Sequence, residues 1–158
     1  MFYLSGRFED AVRAGDRALA LHPEFALALY LTGFALCQLG QFDRAIERHE
    51  RLVALSHRNP IYIGLLGHAL GLAGRHSAAL ALVEELTARR GSEYVVPTAW
   101  LLLWAGLGDR DRAYDTLVDC VREGVNGMAI LLFLYPHLKS LAEEPRFAEM
   151  FSRVNLKV

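Results

Sequence analysis

The sequence predicts an all-α fold, a solenoid of stacked antiparallel helix pairs, on three observations. Glycine stands at Gly6, Gly40, Gly74 and Gly108, a constant step of 34 residues, and alanine keeps the same step at Ala11, Ala45, Ala79 and Ala113. Between these marks apolar residues recur at spacings of three and four, as a helix requires and a strand does not. The step runs on without insertion, so one supersecondary unit is stacked several times. A solenoid offers a long surface instead of one deep pocket, which makes binding the leading functional expectation.

With the recurring glycine at the fifteenth place, the copies run 26–59, 60–93 and 94–127, after a truncated copy, 1–25, and before a tail, 128–158. In the second copy the spacing predicts one helix at about Leu27 to Leu39 and another at about Phe42 to Leu55, with Gly40 between them. Glycine closes a helix readily because it enters the left-handed region without a Cβ clash. Gly33 and Gly67 let the first helix of a copy approach its partner, and Ala45 and Ala79 do so from the second. Pro23 stops the first copy, and Asn59-Pro60 separates the second from the third. Arg89-Arg90-Gly91 ends a helix, Pro97 suits a first turn, and Asp109 is placed to cap the last repeated helix.

The chain has 158 residues, long enough for one domain with a substantial core. A net charge of -1 argues against nucleic acid and against a membrane surface as partners. Cys37 and Cys120 both fall in helical segments and suggest no disulfide framework, which fits a reducing cytoplasm. The start, Met1 to Leu4, does not read as a signal peptide. The longest apolar runs, Ala99 to Leu107 and Met128 to Tyr135, fall well short of the roughly 20 residues that span a bilayer. Yet 53% of the residues are apolar and the mean hydropathy is +0.20, so much of that surface must be covered.

The pattern resembles the tetratricopeptide repeat. Leu29, Gly33, Leu36, Ala45 and Leu52 match it in the second copy, and Ile63, Leu66-Gly67, Leu70, Ala79 and Leu86 in the third. The fourth matches loosely, with Trp100-Leu101 where Leu-Gly is usual, and the first keeps Gly6, Phe8, Ala11, Ala18 and Pro23. His57, Gly91 and Val125 stand where the repeat closes with proline, and His49 stands where it has an aromatic ring. The tail, Tyr135-Pro136-His137-Leu138-Lys139-Ser140-Leu141 followed by Pro145-Arg146-Phe147, resembles the cap after such repeats in bacterial multidomain regulators. Those proteins couple the array to a cyclase, a kinase or a winged-helix domain. The resemblance implies a right-handed superhelix with C-terminal capping helices near 136–142 and 145–153.

It also implies a ligand on the concave face, built mainly from the first helix of each copy. By place, that face takes Leu27, Tyr30, Phe34, Cys37 and Gln38 from the second copy. Ile61, His68 and Leu72 come from the third, and Thr98 and Leu102 from the fourth. The lysine, arginine and asparagine that clamp a terminal carboxylate in one subclass are missing from these places. The expected ligand is a protein or peptide segment, apolar or amphipathic. The chain's own segment near 127–134, or a second copy forming a homodimer, would fill the same groove.

Enzymatic roles find no support. Ser5, Ser77 and Ser140 lack the strand-turn-helix elbow of a serine nucleophile, and Glu84-Glu85 and Glu143-Glu144 lie on regular helix faces. Glu47 and Arg51, four apart, read as an exposed pair. No phosphate-binding loop is present, and the six histidines show no metal-ligand spacing, although Cys37 and His68 share a face. No cofactor or metal is implied. Trp100 and Trp104 read as core against the preceding helix and the tail, or as an interface hot spot. The sequence therefore predicts a non-enzymatic interaction module, with homo-oligomerisation or service as an enzyme's regulatory tail as the alternatives.

Overall fold

A computed structural model describes residues 7–123 together with 145, 146 and 149. Among the described residues 7–123, seven helices follow one another: α1 (Phe8–Leu21), α2 (Ala26–Gln38), α3 (Phe42–Leu55), α4 (Pro60–Leu72), α5 (His76–Arg89), α6 (Pro97–Leu107) and α7 (Arg110–Arg122). The described residues hold no strand. This is an all-α helical-repeat solenoid of the tetratricopeptide type. The helix expected at 136–142 lies outside the described residues. Of the one expected at 145–153, Pro145, Arg146 and Glu149 are described and are helical.

The hairpin corner is drawn three times with the same hydrogen bonds. Gly40, Gly74 and Gly108 have φ of 69°, 73° and 74°. The residue after each donates its N–H to the carbonyl five positions back: Gln41 to Leu36 at 2.9 Å, Arg75 to Leu70 at 2.8 Å and Asp109 to Trp104 at 3.0 Å. That closure satisfies carbonyls that a helix end would otherwise leave bare. His57 makes the same kind of corner after α3, with φ of 52° and Arg58 N–H on the Val53 carbonyl at 2.9 Å. Proline is locked near −65° and cannot take that φ, which explains why the closing proline is missing here.

Helix starts follow the chemistry of their sequences. Asn59 Oδ1 accepts from the Ile61 N–H at 3.1 Å, with Pro60 in the first turn of α4. Asp109 Oδ1 accepts from the Arg112 N–H at 3.0 Å at the head of α7. Pro97 opens α6.

The charges are sorted by helix. α2, α4 and α6 contain no Asp, Glu, Lys or Arg, whereas α1, α3, α5 and α7 each carry several. A helix that is apolar all round must be covered on most sides. The core runs through the uncharged helices, with Leu29, Phe34, Leu36, Ile63, Leu65, Leu101 and Leu102 among its fully buried members. That placement accounts for the high mean hydropathy.

The charged helices are laced together across copies. Asp16 of α1 receives Arg44 at 3.1 Å and Arg48 at 3.0 Å, both from α3. Asp43 of α3 receives Arg75, just before α5. Arg58 donates to Glu85 through Nε at 2.8 Å, and Arg89 reaches the Arg58 carbonyl at 2.8 Å. Arg51 does not act along its own helix toward Glu47 as the i,i+4 spacing predicts. It crosses to the carbonyl of Pro23. Cross-copy contacts fix how hairpins stack, although an exposed pair adds only about 0.2–1 kcal/mol.

Candidate partner-binding site

The uncharged helices would build the concave face, so their packing decides what a partner can reach. The closest approach in the array is between α4 and α6. A Cβ placed on Gly64 would stand 2.6 Å from the Ala99 carbonyl oxygen, and one on Gly106 would stand 2.5 Å from the Cα of His68. Gly71 lies equally hard against the backbone of Gly106, and Gly67 receives the side chain of Leu103. Only glycine permits backbone to touch backbone in this way. Seven residues, 90–96, join α5 to α6, against four, 56–59, between α3 and α4. The longer connection lets α6 settle on α4.

This seam corrects part of the expected groove. His68 is 1% exposed, and its Nδ1 donates to the Leu102 carbonyl at 3.1 Å, so the two face each other inside the chain. Leu102 is fully buried, and Thr98 is buried against Cys120 of α7. Phe34 is 1% exposed, edge-on to Tyr30 at 4.8 Å and to the His49 ring at 6.0 Å. Cys37 is buried as well, and burial pushes its thiol up to about 12. Phe34, Cys37, His68, Thr98 and Leu102 therefore belong to the interior. Place in the repeat did not reveal this: Phe34 packs against Tyr30 and the His49 ring of α3, and α6 covers the face of α4 that carries His68.

The other five residues remain accessible. Leu27 is 54% exposed, and Tyr30, Gln38, Ile61 and Leu72 are half-buried. By helical spacing, positions 27, 30 and 38 of α2 lie around the buried Phe34, and positions 61 and 72 of α4 flank the buried His68 at the two ends of the face that α6 covers. Tyr30 links the two helices, its ring lying 6.3 Å from that of Tyr62. Burial and the neighbouring Tyr62 raise the Tyr30 phenol above its ordinary value. The Gln38 Nε2 is shielded from solvent and donates to no acceptor. The strip is thus apolar, with two phenols and one uncommitted amide.

Two features escaped the sequence reading. Leu21, 78% exposed, and Phe25, 45% exposed, frame a shallow hollow with His22, Pro23 and Glu24 beside Leu27. A leucine at a helix end followed by a proline was its only signal. The other is a buried imidazole. His49 is 1% exposed and lies against Gly33, in the place that the repeat gives to an aromatic ring. Burial first, and then His68, push its pKa down to about 3, so the ring is neutral. The described residues contain no group of three His, Cys, Asp or Glu able to hold a metal. Nor, among them, is any helix long and apolar enough to cross a membrane.

The hairpins, their glycine corners and the uncharged inner helices agree with one family. Residues 2–69 match the model of the tetratricopeptide repeat. Comparison with curated proteins and with solved structures finds no match. Tetratricopeptide repeats as a class bind protein partners and are typically non-catalytic modules.

Proposed function

We propose that the chain is a non-enzymatic module that binds a protein or peptide segment along an apolar strip on α2 and α4. It works within the cytoplasm, as part of a bacterial regulatory or signalling protein. Its units are the truncated copy 1–25, the copies 26–59, 60–93 and 94–127, and the capping segment 128–158. The observation that carries the reading is the pairing of uncharged inner helices with an uncovered edge at Leu27, Tyr30 and Ile61. Apolar side chains left open on a rigid solenoid are where such arrays take a ligand. An apolar or amphipathic segment suits that strip. Both cysteines are free and buried, in keeping with a reducing compartment.

The test places a photoreactive benzophenone side chain at position 27 or 61 and, as control, at the exposed position 47. Cross-linking of one shared partner from 27 and 61 and not from 47, lost in Leu27→Glu, is the expected result. Equal capture from all three positions overturns the reading. Light scattering coupled to size exclusion reports whether the partner is a second copy.

A further inference from the structure

Away from the strip on α2 and α4, four side chains form a row. Trp100 and Trp104, four apart on α6, stack at 6.4 Å with their planes 20° apart. The Arg90 guanidinium lies over Trp100 at 5.9 Å, and that of Arg112 lies over Trp104 at 4.6 Å. The arginines come from two other elements, the end of α5 and the first turns of α7, so three parts of the chain build the row. Both arginines are exposed and both indoles are half-buried.

The chemistry of the row is one-sided. A guanidinium lying over an indole spends its flat face on the ring and keeps its in-plane N–H groups for a carboxylate. Arg90 pairs with no carboxylate among the described residues, and Arg112 meets Asp109 only at 3.6 Å. Asp109 is itself committed to capping α7. The Trp100 Nε1 donor, shielded within the row, has no acceptor. Everything the row leaves unused is a donor or a positive charge, so its complement carries carboxylates. Nucleic acid fits less well. Each indole is already engaged by a guanidinium and by the other ring, and the whole chain has a net charge of -1.

The three steps along the row, 5.9, 6.4 and 4.6 Å, hold the guanidiniums within about 17 Å of each other. An extended peptide rises about 3.3 Å per residue and covers that span in about five. We propose that Arg90, Trp100, Trp104 and Arg112 form a second docking surface, for an extended partner segment with two acidic side chains up to about five residues apart. Apolar residues between the acids would lie on the indole edges. This surface is independent of the strip at Leu27 and Tyr30, and its ligand presents side-chain carboxylates instead of an apolar face.

Tryptophan occurs only twice in the sequence, so emission excited at the red edge of indole absorption, where the six tyrosines do not absorb, reads this row alone. The full chain is titrated with blocked synthetic peptides holding two glutamates three to five residues apart around leucine and alanine, and with the same peptides carrying glutamine. The acidic peptides should shift the emission saturably at about 1 mM or below, and less so in high salt. Arg90→Gln with Arg112→Gln should weaken that binding at least about tenfold with far-ultraviolet dichroism unchanged, while Leu27→Glu should leave it alone. Arg90→Lys with Arg112→Lys, which keeps the charge and loses the fork, should fall between. The proposal is overturned if the glutamine peptides titrate equally, if no acidic peptide moves the emission, or if the double glutamine variant binds as well as the parent. It is also overturned if oligothymidylate shifts the emission at lower concentration. Emission that tracks protein concentration together with dimer formation would assign the row to a second copy, and the peptide reading would fall.

Discussion

The imidazole of His49 is seated on the backbone of Gly33: a Cβ at Gly33 would lie 2.8 Å from Nδ1 and nearer still to Cε1. Glycine in mid-helix normally costs about 1 kcal/mol relative to alanine, so it needs a reason to be there. The reason is the ring. A flat side chain from α3 can enter the inner layer only where α2 has nothing projecting. Gly33→Ala should therefore destabilise the chain by about 1–3 kcal/mol despite the better helix propensity. In a His49→Ala background the same change should be neutral or stabilising. Urea unfolding of the four chains gives the coupling directly.

Stability should fall in mild acid through the same residue. His49 is neutral in the folded chain because its pKa is pushed down to about 3, while unfolded histidine titrates near about 6.5. Protons therefore bind the unfolded chain preferentially. The contribution is complete above the unfolded value and is lost as pH falls toward 3, about 2 kcal/mol of it by pH 5. His49→Phe, which restores an aromatic ring, should flatten the profile over that interval. Glu85 acts lower down. The Arg58 guanidinium holds its carboxyl below the ordinary 4.5, so its contribution is lost only as pH drops beneath that value.

Two kinds of glycine should respond differently to alanine. Gly40 has open space around its missing Cβ and only its φ of 69° to defend, so Gly40→Ala should cost about 1–2 kcal/mol. Gly106 has ordinary room for its own backbone but would drive a Cβ into His68, where the neighbour is main chain and cannot swing aside. Gly106→Ala should be the more damaging change, about 3 kcal/mol or more, because α6 must lift off α4. Denaturant midpoints compared at constant slope decide between the two.

The thiols should be inert until the fold opens. Burial raises Cys37 to about 12 and Cys120 to about 11, and both are free. Thiolate is the reactive form, so neither should react with a disulfide reagent at neutral pH. Both should titrate promptly in guanidinium chloride. Fast native reaction of Cys37 would show that the α2 face opens.

Much of the architecture could be read from local chemistry. Gly40, Gly74 and Gly108, Asn59 before Pro60, and Asp109 each act within a few residues of themselves, and each behaves as its neighbours dictate. The candidate site depended on packing between distant elements, and there the reading divided. Leu27 and Tyr30 are accessible, whereas Phe34, His68 and Leu102 are interior. Phe34, His68 and Leu102 hold the same place in successive copies and share one buried environment. The sequence reading assigns that place to the open face, whereas it packs against neighbouring helices, as the seam of α4 with α6 shows for His68 and Leu102. The signal of that seam was present as Gly64 and Gly71 answered by Ala99 and Gly106, pairs seven apart on each helix. Small residues so matched mark backbones in contact. The His57 corner was visible only as a lapse from the repeat, and its φ supplies the cause.

The Gly64–Ala99 contact also limits how such a chain can lengthen. A thirty-four-residue cassette spliced at the α3–α4 junction would leave both sides of that contact on one stretch of polypeptide. The same cassette spliced at residues 90–96 would carry the two halves apart and strand a glycine-lined trough on α4. Duplication is thus tolerated upstream of Pro60 and penalised between Arg89 and Pro97.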